Sequence, residues 1–161
     1  MGYDLTVNSI HVIYINYTIY FYMTLQRMLF LLLFVMYSIG DSITAVYMME
    51  KKGIMSEINP VVRFMYTSYG GLGVVSIKMI YIFIILFFAW RISKEKNTYW
   101  QVTGFLLALF ICSIMLIYAN LMAANDMIPQ SAISITFVFL ALSFFLIMIG
   151  NMIDKLHVQD V

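Results

Sequence analysis

Two ionisable residues stand inside runs that are otherwise apolar: Asp41, within YSIGDSITAVYM, and Lys78, within GVVSIKMIYIF. A carboxylate in such a place can bind a cation or take a proton, and an ammonium can hold an anion. Either charge alone costs about 2.5–3.5 kcal/mol in hydrocarbon on insertion scales, so each is a candidate for function and each asks for a partner. Thr44 follows Asp41 by three residues and Tyr37 precedes it by four, which brings all three onto one helix face. Between the two charges lies Glu57-Ile58-Asn59-Pro60, with a second carboxylate and an amide. Asp41, Thr44, Glu57, Asn59 and Lys78 are therefore the candidate polar or ligand cluster. Plainer roles stand beside that one. An Asp–Lys pair can simply fix helix register, Asn59 before Pro60 reads as a helix cap, and Glu57 just ahead of it favours the helix dipole.

Little other chemistry is written in the chain. No Gly-rich phosphate loop, HExxH or GxSxG pattern occurs. His11 and His157 lie near opposite ends and do not form a ligand pair by spacing. The single cysteine, Cys112, excludes an intrachain disulfide and sits in an apolar run, as an inert packing residue would. No metal or cofactor is expected, and without a nucleophile–base pair the balance leans away from an enzyme.

The elements that must position these residues follow from composition. The 161 residues are 63% hydrophobic and 11% charged, too little charge for a soluble globule, and a net charge of +1 offers no broad basic face for nucleic acid. A hydrocarbon layer of ~30 Å takes about 20 residues of helix to cross. Four runs meet that need, at Leu29 to Met49, Leu72 to Trp90, Val102 to Ala124 and Ala132 to Ile149. Their short connections predict an all-α, integral membrane four-helix bundle over residues 27–155, followed by a tail at 156–161. Residues 1–26 are ambiguous: an interfacial helix, an extra span, or translated sequence upstream of a start at Met23 or Met28. Arg27, Arg91, Lys94, Lys96 and Lys155 collect on one side, Lys51, Lys52 and Arg63 on the other. That asymmetry predicts a multi-pass protein of the cell membrane with both ends of the 27–155 region in the cytoplasm.

The connection after span one has structure of its own. Asn59-Pro60 reads as a helix start and Gly70-Gly71 as its stop, so a short interfacial or re-entrant helix is expected there. The alternative is that Pro60 opens one long second span. By the rise per residue, Asp41 lies ~18 Å into span one and Lys78 ~9 Å below the opposite surface, which sets both in the outer half and predicts that they pair. Gly104, Ala108 and Cys112 repeat every four residues, and Thr136, Ser143 and Gly150 every seven, as two small-residue seams. Asn120 is expected to bond a neighbouring backbone carbonyl, with completion of the polar interior as its alternative.

The order Asp41-Ser42-Ile43-Thr44, then Glu57-Ile58-Asn59-Pro60, then Lys78 resembles a family of small archaeal and bacterial integral membrane proteins of unknown function. The resemblance implies that these positions work as a unit and brings no ligand or activity with it. The chain thus reads as a small polytopic membrane protein, a binding or accessory protein with a polar intramembrane cluster near the outer leaflet. A small transporter-like or ion- or lipid-headgroup-binding protein is the alternative, and an intramembrane enzyme the weakest reading. Its expected partners are the lipid bilayer and a homo-oligomer or a larger membrane complex.

Overall fold

Leu, Ile, Phe and Met runs without proline satisfy every backbone group within a helix, the one local structure hydrocarbon tolerates in an open chain. The computed structural model, which describes residues 25–159, consists of helices accordingly. Four are long and apolar enough to cross a membrane. They are α1 (Leu25–Lys52), α2 (Pro60–Ile92), α3 (Tyr99–Ala124) and α4 (Ala132–Gln159). The alternatives for residues 1–24 lie outside the described residues. Each helix overruns the span read from hydropathy, because polar end turns continue the hydrogen-bond ladder past the apolar stretch. The clearest case is α4, which runs through Gly150 and Asp154 into the expected tail.

The two expectations for Pro60 merge. Asn59 Oδ1 accepts the Val61 and Val62 amides at 3.0 and 3.5 Å, with Pro60 as the first helical residue. The helix so begun is broken at Gly70, whose φ of 64° and ψ of −153° only glycine adopts freely. Residues 60–69 form the short helix and residues 71–92 the span proper. Val62 on the short helix packs with Met49 and Val74, closing the top of α1 against α2, while Phe64, Tyr69, Met55 and Ile58 stay exposed around it. An apolar rim beside Arg63 and Lys51 is the composition of a membrane interface.

The helices line up so that α1 touches α2 and α3, and α3 carries α4. The α3–α4 contact is close because backbone meets backbone. A Cβ on Gly104 would stand 2.5 Å from the Leu146 carbonyl oxygen, and one on Gly150 would collide with the Trp100 carbonyl. Ser143 is buried on the same seam, whereas Thr136 is exposed. The expected seven-residue seam is thus carried by two of its three members; near the start of α4 it is the neighbouring Ile135 that is buried.

Asp154 closes that seam. Thr98, the residue before α3, spends its hydroxyl on the Ile92 and Glu95 carbonyls. The first-turn amides of α3 are capped instead by α4: Asp154 Oδ1 accepts from Trp100 N at 3.0 Å and Oδ2 from Gln101 N at 3.1 Å. A carboxylate there satisfies two free donors and lies at the positive end of the helix dipole, so Asp154 is tolerated at 6% exposure. Beside it, Gln26 of α1 donates to the Tyr99 carbonyl and to Thr103 Oγ1, tying the start of α1 to the start of α3. At the other end Lys52 pairs with Asp126, just beyond α3.

Candidate functional site

Two apolar zones bracket the centre of the molecule. One joins Leu29, Leu33, Ile82, Leu86 and Leu106; the other is the Met49–Val62–Val74 contact. The polar residues sit between them. Leading into that region, α1 widens into a π-helical turn over Phe34–Gly40, and the Asp41 amide donates back five residues to Met36. The Ser38 hydroxyl donates to the Phe34 carbonyl within this segment. Gly40 ends it with no side chain of its own, and Ile117 of α3 fills the place, 2.9 Å from where a Cβ would stand. Regular α-helix resumes at Asp41.

Asp41 and Lys78 are paired, as their depths predict. Lys78 Nζ donates to Asp41 Oδ2 at 2.7 Å and to the Asp41 carbonyl at 3.2 Å. The residues are 4% and 7% exposed. Asn120 of α3 completes the group: its Nδ2 donates to Asp41 Oδ1 at 2.8 Å and to Thr44 Oγ1 at 3.2 Å. Thr44 Oγ1 in turn lies 3.1 Å from the Gly40 carbonyl and 3.2 Å from that of Asp41, so its one hydrogen has an acceptor. Three helices therefore meet in one network, with both carboxylate oxygens engaged by charge-assisted or amide hydrogen bonds. This corrects the expectation for Asn120, which bonds side chains and not a backbone carbonyl. The signal available in the sequence was that Asn120 was the one amide within the third apolar run, and a buried carboxylate with two oxygens needs more donors than one lysine supplies.

The connection residues do something else. Asn59 is the cap of α2 and does not join the cluster. Its own amide is taken by Glu57 Oε1 at 2.9 Å. Glu57 Oε2 accepts no hydrogen bond from a described residue. Glu57 instead helps line a cavity of about 150 Å³ between the end of α1, the end of α3 and the start of α4. Ser56, Met48, Leu116, Asn120, Pro129 and Ala132 are among its walls. Asn120 thus has two faces, one on the Asp41–Lys78 pair and one on the cavity, while Asp41 and Lys78 themselves do not line it. No group of three or more His, Cys, Asp or Glu able to hold a metal occurs among the described residues. Cys112 is a free, partly buried thiol.

Outside the spans, Lys52 hydrogen-bonds Asp126 and holds its carboxyl below the usual carboxylate range, with the charge of Lys52 adding to the effect. Asp154, which the sequence presents only as a charge closing span four, is the polar residue that sequence reasoning undervalued. Its four-residue distance from Gly150 is the available signal, since that spacing aims it at the helix Gly150 touches.

No curated protein and no solved structure matches this chain. A family model does, over residues 31–124, which run from α1 to the end of α3 and include Asp41, Thr44, Glu57, Asn59, Lys78 and Asn120. The chain belongs to that family, the domain of unknown function DUF5658.

Proposed function

We propose that this polytopic membrane protein is a binding protein, which receives a small polar ligand in the cavity between α1, α3 and α4. The observation that carries the reading is the double role of Asn120. The residue that lines the cavity is held in place by the Asp41–Lys78 pair, so a costly buried ion pair serves to fix one wall of a site. A pair that only set register would not need to be coupled to a cavity. The excess of Lys and Arg at the opposite end of the bundle favours an outward-facing cavity near the outer leaflet. The π-helical turn immediately before Asp41 agrees with this, since such turns recur at functional sites.

The test is a ligand screen on the full chain in detergent, read as a shift in thermal unfolding. It is run on the natural sequence and on Ala132→Trp, which adds bulk to the cavity from a residue of α4 that is not itself part of the Asp41 network. Ligands that stabilise the natural chain and not Ala132→Trp support the site. If both respond alike to every ligand, the cavity is not where binding occurs.

A second reading, an accessory subunit, draws on α4. Only 11% of its most apolar window is buried within the chain, against 33% to 39% for the other three. Crosslinking in membranes from cysteines on the exposed face at Phe137 or Phe144 would recover a constant partner under that reading.

A further inference from the structure

The polarity of the hydrogen-bonding groups at the cavity restricts what it can hold. Asp41 is a carboxylate and can only accept, so the group Asn120 turns toward it must be its NH2. Both hydrogens of that NH2 are spent, one on Asp41 Oδ1 and one on Thr44 Oγ1. The Asn120 oxygen is left, and it accepts nothing from a described residue. Glu57 presents the same chemistry: Oε1 is occupied by the Asn59 amide and Oε2 is open. The Ser56 hydroxyl gives its hydrogen to the Gly53 carbonyl, so toward a ligand it too can only accept. All three residues line the cavity.

The wall is therefore rich in acceptors and carries one uncompensated negative charge, because Asp41 and Lys78 cancel each other. An anion is repelled by the Glu57 carboxylate, and of the lining side chains only the Gln130 amide has an uncommitted donor to offer it. A dehydrated divalent cation needs six or more oxygens, roughly, and meets too few. What satisfies several acceptors and one charge at once is a cation that is itself a multiple donor. Apart from Gln130, whose amide can turn its oxygen inward, the remaining walls, Met48, Leu116 and Ile135 among them, are apolar and suit carbon. We infer that the cavity binds an alkylammonium group, with Glu57 as its counter-ion and Asn120 and Ser56 as further acceptors. The inference rests on the binding function proposed above and names its ligand class. The group can come from a free amine or from an ethanolamine lipid headgroup, since the chemistry offered to the cavity is the same.

Ethylammonium chloride is titrated into the full chain in maltoside detergent and amine-free buffer, with sodium butyrate as the anionic control. Ethylammonium should raise the melting temperature, by about 5–11 °C at a hundredfold excess over its dissociation constant, and butyrate should not. Glu57→Gln keeps an oxygen for the Asn59 amide but turns a donor toward the cavity, and should abolish the shift while melting normally in the absence of ligand. The lipid arm exchanges the chain into nanodiscs of phosphatidylethanolamine and phosphatidylglycerol and counts retained lipids by native mass spectrometry. Retention of phosphatidylethanolamine that Glu57→Gln loses assigns the headgroup as the source. A response to ethylammonium without such retention assigns a free amine. If neither arm distinguishes Glu57→Gln from the natural chain, the alkylammonium inference is wrong. Should butyrate or a neutral ligand then still stabilise the natural chain and fail on Ala132→Trp, the binding reading survives with another ligand class; if nothing is blocked by Ala132→Trp, both fall.

Discussion

Removing Lys78 is expected to be more harmful than neutralising Asp41, and the structure says why. Lys78→Met leaves a carboxylate at 4% exposure with a single strong donor, the Asn120 amide. Breaking one side of a buried pair in this way costs about 3–5 kcal/mol. Asp41→Asn leaves Lys78 without a counter-ion but is milder, because Lys78 keeps its bond to the residue 41 carbonyl and can donate to the new amide oxygen while Asn120 turns its own oxygen to the new NH2; about 1–3 kcal/mol covers the weakened, charge-bearing hydrogen bonds. At roughly 2–4 °C per kcal/mol for a chain of this size, Lys78→Met should melt about 6–20 °C early. The double variant Asp41→Asn, Lys78→Met strands no charge and should recover at least about 2 kcal/mol of the summed losses. The assay is thermal unfolding in detergent, followed with a thiol-reactive fluorophore that reports exposure of Cys112, the chain's one cysteine. Losses that add to within about 0.5 kcal/mol would show that the two residues are not coupled. Equal losses for the two single variants would refute the accounting of donors around Asp41.

Three further outcomes are expected. Gly150→Ala should destabilise markedly, since its Cβ collides with backbone at Trp100, while Gly40→Ala meets only the mobile end of Ile117 and should be tolerated better; melting temperatures of the two compare the cases. Asp154→Ala should cost about 0.5–2 kcal/mol as a lost helix cap, with Asp154→Asn recovering part of it, and faster hydrogen exchange at the Trp100 and Gln101 amides would locate the loss. The Asp126 carboxyl is held low by Lys52, so what this pair contributes is present above the ordinary aspartate range, near pH 4, and disappears as pH falls through the depressed value. Lys52→Gln should return the Asp126 titration, followed by carbon NMR, toward the ordinary range, and salt should shrink the difference.

Helix type and number were legible because hydrocarbon leaves a chain few choices, and runs of 18 to 23 apolar residues leave fewer. Asp41 and Lys78 were legible for a related reason: a charge is so costly there that its presence and its partner can be inferred together. Asn120 and Asp154 were harder. Each is an ordinary polar residue whose role depends on which neighbouring helix it faces, and that depends on small residues such as Gly150 and Gly40 admitting close contact. Asn59 shows the opposite case. Its local role as a cap was fully explained by the proline after it, and adding it to the cluster asked one side chain to do two things. The cavity had no counterpart in the sequence, because it exists only where the ends of α1 and α3 and the start of α4 come together.

The π-helical turn over Phe34–Gly40 makes the winding of α1, and not only residue type, a determinant of the site. An α-helix advances about 100° per residue. One residue removed between positions 34 and 40 can be absorbed by tightening the wide turn into ordinary α-helix, with every hydrogen bond kept. The wide turn holds about one residue more than the α-helix it interrupts, so removing that residue leaves the two halves of α1 in nearly the same phase. Asp41 then keeps its direction toward Lys78 and Asn120 while Leu29 and Leu33 keep their apolar contacts. The change that swings the network off its partners is tightening of the turn into α-helix with all its residues retained, which rotates one half of α1 against the other by about 100°. Among relatives of this chain, an alignment gap of one position just ahead of the aspartate is therefore compatible with an intact network.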